Sequence, residues 1–172
     1  MTTMMVVGAS GVLGKLVCGE LLRIFENQIK LIVTDYNTER GKRLADSFYG
    51  DVQFQYLDVN DEDRVERVLR NVDVAVVVLK QKTPHIQKVC IQNKILCIDV
   101  TPFYDFVQQV VELHHSAVDN NVGSVVMSGF FPGLSGLMIK RRFWIFKRFK
   151  RSVLPYCKIK MPKPGYPGFW IC

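Results

Sequence analysis

The sequence predicts an α/β fold, a doubly wound parallel sheet with helices on both faces. Three observations predict it. Short apolar runs rich in valine alternate with segments of helical periodicity. A glycine-rich turn joins the first run to the first helix. The chain has 172 residues, 48% of them hydrophobic and 23% charged, which suits one well-cored globular domain.

The elements follow in the order strand, helix, strand. Residues 4–7 form a short apolar run, read as a buried parallel strand. Residues 12–25 carry Leu13, Leu16, Val17, Leu21 and Ile24 at helical spacing. Residues 30–34 read as a second strand and 38–48 as a polar helix with Leu44, Ala45 and Phe48 on one side. Residues 52–57 read as a third strand and 62–70 as a charged helix. The run at 74–79 is the clearest strand, unbroken and valine-rich. Pro84 opens a helix over 84–93, where a missing N–H costs nothing. A strand at 95–98, one long helix over 105–120 and a sixth strand at 122–127 complete the series.

The turn reads Gly8-Ala9-Ser10-Gly11-Val12-Leu13-Gly14. Gly8 suits a tight turn, Gly11 a close approach of backbone to a pyrophosphate, and Gly14 close packing of helix on sheet. Free N–H groups of the helix start then face the phosphates, and Ser10 can add a hydroxyl. Asp35 stands at the end of the second strand, at the spacing where a carboxylate accepts from a ribose. These features make the sheet Rossmann-type and point to a dinucleotide. Asp35 would repel a 2′-phosphate, which favours NAD. Arg40, Lys42 and Arg43 follow closely and could still bind the phosphate of NADP. A glycine turn that only packs a helix, with Asp35 as an N-cap, is the plainer reading.

Asp58 and Val59 close the third strand, beside the expected adenine; a turn aspartate is the competing role for Asp58. Leu79 closes the fourth strand, under the expected ribose and nicotinamide, where simple packing competes. The expected cofactor-binding set is Gly8, Ser10, Gly11, Val12, Leu13, Gly14, Asp35, Asp58, Val59 and Leu79. No catalytic residue is assigned and no metal site is expected. His114 and His115 are adjacent on a helix, about 100° apart, and so do not share a metal easily. His85 lies near the expected cofactor side, but a polar first-turn role suits it better. Ser-His-Asp, zinc and P-loop spacings are absent from the sequence.

Four pieces stand in order along the chain: Val6 through Gly14, Ile98-Asp99-Val100-Thr101, the helix with Ala117 ahead of Asn121-Val122, and Gly129-Phe130-Phe131-Pro132-Gly133-Leu134-Ser135-Gly136. On these pieces residues 1–139 resemble the NAD(P)-binding domain of the saccharopine dehydrogenase family. The last piece resembles the family's Gly-x-x-Pro-Gly-Leu segment; a tight turn is its plain reading. The resemblance implies an oxidoreductase that moves a hydride between NAD(P) and a C–N bond of an amino acid or related substrate. It also implies a substrate domain after the Pro-Gly segment. This chain is expected to lack that domain and to bind cofactor with little or no turnover. The alternative is a non-enzymatic nucleotide sensor or scaffold whose basic tail binds an anionic surface.

Charge divides the chain at the same place. The formal net charge is +7, but residues 1–139 hold 13 Lys/Arg and all 16 Asp/Glu, a net of −3. Residues 140–172 hold 10 Lys/Arg, no acid, and 8 of the 19 aromatics, including Trp144 and Trp170. The motif-bearing part therefore gives no case for nucleic acid. The basic aromatic tail reads first as a peptide from a shifted frame, then as a helix packed on the sheet. A basic amphipathic helix for a membrane or nucleic acid comes last. Tyr156 and Lys160 match Tyr-x-x-x-Lys, an acid pair of short-chain dehydrogenases. Pro155 and Pro162 bracket the pair and argue against the helix it needs.

Five cysteines (Cys18, Cys90, Cys97, Cys157, Cys172) without a Cys-x-x-Cys pair read as reduced thiols in a cytoplasmic protein. The N-terminus lacks a basic n-region, and no run of about 18 apolar residues predicts a membrane span. A sheet short of its later strands would leave an open edge, so a homo-oligomer is an expected state.

Overall fold

The computed structural model describes residues 1–129 and the strand at 168–171. Residues 130–136 of the Pro-Gly segment, the basic run 140–151, Cys157, Cys172 and the Tyr156/Lys160 pair lie outside the described residues.

The strands are β1 (Thr2–Val7), β2 (Ile29–Asp35), β3 (Val52–Tyr56), β4 (Val74–Val77), β5 (Leu96–Asp99), β6 (Gly123–Val126) and β7 (Gly168–Ile171). The helices are α1 (Val12–Phe25), α2 (Thr38–Asp46), α3 (Glu62–Leu69), α4 (His85–Gln92), α5 (Tyr104–Val111) and α6 (His114–Asp119). All seven strands lie parallel in one sheet, in the order β3-β2-β1-β4-β5-β6-β7. The doubly wound α/β architecture is thus as the sequence predicts.

Alternation along β1 explains the two-faced core. Met4 and Val6 pack with Leu31, Val33 and Val76 against Cys18 of α1 and Leu44 and Ala45 of α2. Met5 and Val7 point the other way, into a cluster with Val65, Val68 and Leu69 of α3 and Ile86, Val89 and Cys90 of α4. A central parallel strand needs both faces covered, which is why its residues run apolar without a break. Each fully buried side chain of this size contributes about 1.5–3 kcal/mol relative to exposure. Cys18, Cys90 and Cys97 are buried free thiols, and burial pushes Cys18 up to about 12.

Close packing also accounts for Gly41 inside α2. A Cβ there would fall 2.0 Å from the Phe54 ring, so glycine is what lets α2 lie on β3. That contact offsets the roughly 1 kcal/mol a helical glycine costs. Both α4 and α6 turn into their next strand through a left-handed residue, Lys94 (φ 59°) and Asn121 (φ 54°). The six-residue reach Ile95 N–H to Cys90 C=O and its counterpart Val122 to Ala117 satisfy carbonyls at each helix end.

The single long helix expected over 105–120 is instead two, α5 and α6, separated by a turn at Glu112 and Leu113. Leu113 has ψ of 0° and its N–H bonds three residues back, to Val110. Neither glycine nor proline marks this break. Its cause is packing: Phe106 and Val110 bury against Val126, whereas Leu113 and Ala117 join Ile91 and Val122. β7 pairs along β6, from Gly123 opposite Gly168 to Val126 opposite Ile171. No helix among the described residues is long and apolar enough to cross a membrane.

Candidate functional site

The strand order switches between β1 and β4, with β2 and β3 laid down to one side and β5 onward to the other, while every strand stays parallel. In open parallel sheets, the crevice outside the strand ends at such a point is where ligands bind. Here it lies between Gly8, after β1, and Leu79, after β4.

Gly8 leaves β1 at φ 86°, in the left-handed region that favours glycine. A Cβ on it would stand 3.0 Å from the Cβ of Leu79, across the crevice. At Gly14 a Cβ would fall 2.4 Å from the Gly8 carbonyl oxygen and 2.6 Å from that of Ala9. Those are backbone atoms, so only glycine lets α1 start this close to β1. Gly11 precedes α1 in extended backbone and offers no capping side chain, and the first turn carries no acid. The N–H groups of that turn remain open to an anion. A Cβ on Gly11 would meet only the Gly8 carbonyl oxygen, at 3.5 Å, and otherwise project into open space.

The crevice holds a cavity of about 370 Å³ lined by Val7, Gly8, Gly11, Thr34, Asp35, Tyr36, Arg40, Leu57, Asp58, Val59, Asn60 and Leu79. Six of the expected residues therefore meet here: Gly8, Gly11, Asp35, Asp58, Val59 and Leu79. Four do not line it. Gly14 sits behind the turn, Val12 and Leu13 are exposed on α1, and the Ser10 hydroxyl oxygen is buried on the Asp35 side.

Asp35 is 6% exposed and heavily engaged. Arg40 grips it with a two-pronged pair, Nε to Oδ2 and Nη2 to Oδ1, both at 2.8 Å. The Asn37 N–H donates to Oδ1 at 2.7 Å. Burial works to raise this carboxyl, but the Arg40 hydrogen bonds, with lesser help from Ser10, the Asn37 amide and the Arg40 charge, outweigh it. The group is held below its ordinary value of 3.8 and is ionised at neutral pH. The N-cap role belongs to Asn37, whose side chain accepts from the Arg40 N–H at 2.9 Å, and not to Asp35. Arg40 also lies over the Tyr36 ring, 5.0 Å from its centroid. Capping by Asn37 was the signal that could have found this pair: it puts Arg40 in the first turn of α2, where a side chain leans back toward the helix start.

Asp58 takes the turn role and lines the cavity as well. Its Oδ1 accepts from the Asn60 N–H and side-chain amide, both at 2.9 Å, while Asp61 caps α3. Thr34 is fixed by its hydroxyl on the Val6 carbonyl at 3.0 Å, which ties β2 to β1 beneath the cavity.

A second polar cluster lies behind Leu79. Asp99 at the end of β5 is fully buried. Its Oδ2 accepts from Gln81 at 2.8 Å and Gln87 at 2.5 Å, and its Oδ1 from the Thr101 N–H at 2.6 Å. Burial pushes this carboxyl above its ordinary value; the donors of Thr101, Gln81 and Gln87 only partly offset it. The Thr101 hydroxyl donates to the Leu79 carbonyl at 3.4 Å, so the cluster braces the Leu79 wall.

His85 turns its ring toward the start of α3, Nε2 3.4 Å from the Glu62 carbonyl oxygen and Nδ1 3.9 Å from its carboxylate. The His114 and His115 rings meet edge to face, with centroids 5.8 Å apart. No group of three or more His, Cys, Asp or Glu placed to hold a metal ion occurs among the described residues.

Against known proteins, the profile of the saccharopine dehydrogenase NADP binding domain matches residues 4–125. Among solved structures, apo saccharopine dehydrogenase (L-Glu forming) from Saccharomyces cerevisiae is similar with a TM-score of 0.72 at 19% identity. That likeness covers 86% of this chain and 32% of the yeast chain, so this chain spans about a third of it. The Pseudomonas aeruginosa RhlG/NADP active-site complex is similar at a TM-score of 0.55 and 16% identity, over 73% of this chain and 70% of that one. Pen from Bacillus thuringiensis gives 0.53 and 15%, over 73% and 49%. At such identities the structural likeness speaks for the fold. No curated protein sequence matches the chain.

Proposed function

The chain belongs to the saccharopine dehydrogenase NADP binding domain family, and from that premise we propose that its switch-point cavity holds a nicotinamide dinucleotide. The observation that carries the reading is the convergence of three unlike groups on one cavity. The Gly8–Gly11 backbone gives room and N–H donors for a pyrophosphate. Asp35 gives an ionised acceptor for ribose hydroxyls, and Asp58 and Val59 form a wall for the adenine.

The residues fit the group chemically. A cavity of about 370 Å³ has the size of a pocket that encloses part of such a ligand, and its lining joins apolar side chains such as Leu57 and Leu79 to polar ones such as Thr34 and Asn60. Bound there, the dinucleotide supplies a hydride donor or acceptor, and this chain's residues bind and orient it. Leu79, braced through Thr101 and Asp99, would set the depth at which the nicotinamide ribose rests. We infer that the parent activity is hydride transfer to or from a C–N bond of an amino acid or related substrate. The similar yeast structure is, by its name, a saccharopine dehydrogenase that forms L-Glu.

Fluorescence titration of the full chain with NADH and NADPH tests the reading. Binding of at least one is expected, with enhancement of the nicotinamide emission. Ser10→Ala and Gly11→Val should each weaken it, the second more because the side chain fills the phosphate space. Binding of neither nucleotide would overturn the proposal.

A further inference from the structure

The loops that leave β4 and β5 hold a cation and two aromatic rings just beyond the cavity. Lys80 follows Leu79 of the cavity wall, and its Nζ stands over the Phe103 ring, 4.6 Å from the centroid. No carboxylate among the described residues lies within ion-pair distance of it. Phe103 and Tyr104, where α5 starts, are 48% and 74% exposed, which leaves two large rings in water beside the cation. The backbone of Lys80 is held on both sides. Leu79 before it accepts the Thr101 hydroxyl at 3.4 Å, and Gln81 after it donates to Asp99 at 2.8 Å. Thr101, close ahead of Phe103 in the other loop, gives its N–H to Asp99 as well. The buried Asp99 thus ties both loops into one frame, and the cation and the ring stand on it together. An ammonium on a ring face keeps hydrogens for an outside acceptor.

Resting on the dinucleotide reading, we propose that Lys80 anchors the carboxylate of an anionic substrate, with the Phe103 and Tyr104 rings as the seat for its aliphatic stem. In the strand order, Asp58 and Val59 follow β3 at one end of the crevice, whereas Lys80 and Phe103 follow β4 and β5 toward the other. With the adenine at the first end, an extended dinucleotide brings its nicotinamide to the second. A substrate held there by one carboxylate turns its other end toward the nicotinamide. Amino acids and 2-oxo acids carry such a group, so the anchor selects them over neutral amines and aldehydes. Lysine suits the task, as a compact charge on a flexible stem that meets a carboxylate without a fixed fork. Asp105 in the first turn of α5 is an exposed acid on the same side, and Lys82 a second exposed cation of the β4 loop. Of the two cations, Lys80 alone has its charge placed over a ring.

Calorimetric titration of the full chain with glutarate and with its neutral diamide, glutaramide, tests this. The wild type should bind glutarate about tenfold or more tightly than the diamide, as expected for a charge-assisted bond. Glutarate should also change the emission of NADH already bound, because it sits beside the nicotinamide. Lys80→Ala should remove the preference, and Lys80→Arg should keep most of it. Phe103→Leu, which keeps an apolar side chain without a ring face, should lower it about threefold. Lys80 is exposed and Phe103 half-exposed, so the variants should fold, and their urea midpoints check it. Lys82→Ala should leave the preference in place. Equal affinity of the wild type for the two ligands, or binding of neither, would overturn the proposal. So would a preference that survives Lys80→Ala, or one that falls as far in Lys82→Ala, which would make it diffuse attraction. Absence of NADH binding with the Lys80-dependent preference intact would instead overturn the dinucleotide reading alone.

Discussion

Two buried aspartates end two strands of the same sheet and behave in opposite ways. Asp35 closes β2 and Asp99 closes β5, and both accept at least three hydrogen bonds. Asp35 meets a cation and a cavity, and it is held below its ordinary value. Asp99 meets only neutral donors and no opening, and burial pushes it up. The difference lies in who satisfies the carboxylate. Neutral amides make good hydrogen bonds but cannot cancel the charge left behind in a low-dielectric interior. Asp35 is therefore a charged group on the cavity wall, and Asp99 a structural plug.

Removing each carboxyl sharpens this contrast. Asp99→Ala strands two glutamine amides and a backbone N–H in the core and should cost about 2–4 kcal/mol of stability, read by urea denaturation. A loss under about 1 kcal/mol would break the comparison, since Asp99 would then not hold its donors in place. Asp35→Ala should lower the urea midpoint less, because Arg40 can turn into water. It should weaken NADH binding about tenfold by the loss of ribose hydrogen bonds. NADPH should suffer less, and equal weakening of both would remove the ribose role.

The smallest effect is in pH. Asp35 has a depressed value when folded, so its contribution is present above 3.8 and fades as pH falls through the folded value. Asp99 has a raised value, so its contribution is full below 3.8 and fades as pH rises through the folded value. The two act in opposite senses over the range that brackets 3.8, Asp99 above it and Asp35 below it. Asp35→Asn should flatten the acid loss of stability, and Asp99→Asn should steepen it. Denaturation midpoints followed across that range would show the same slope in both variants if the environments did not differ.

Much of this site was readable from residue order. Gly8, Gly14 and Asp35 declare themselves because each job is local: a left-handed turn, a close approach, a strand end. The Arg40 grip was less visible, since it depends on where α2 begins, and Asn37 rather than Asp35 sets that point. The Asp99 cluster was not visible at all. Gln81 and Gln87 come from the loop after β4 and from α4, and only the folded sheet brings them to one carboxylate. The break at residues 112–113 escaped for a related reason: no breaker residue marks it, and two separate packing partners impose it. Gly41 was hidden because its reason is the Phe54 ring, supplied by another element.

The central position of β1 has a kinetic consequence. Its links to β2 span about 28 residues, as in the Thr34–Val6 bond, whereas its links to β4 span 70, as in the bond from Thr3 to Asp73. Closing the longer loop costs more entropy, so the β1-β2-β3 half should organise before β4 docks. The cavity takes Asp35 from the early half and Leu79 from the late one. It exists only once the two halves have joined, so a ligand seated there can select finished molecules from those still assembling.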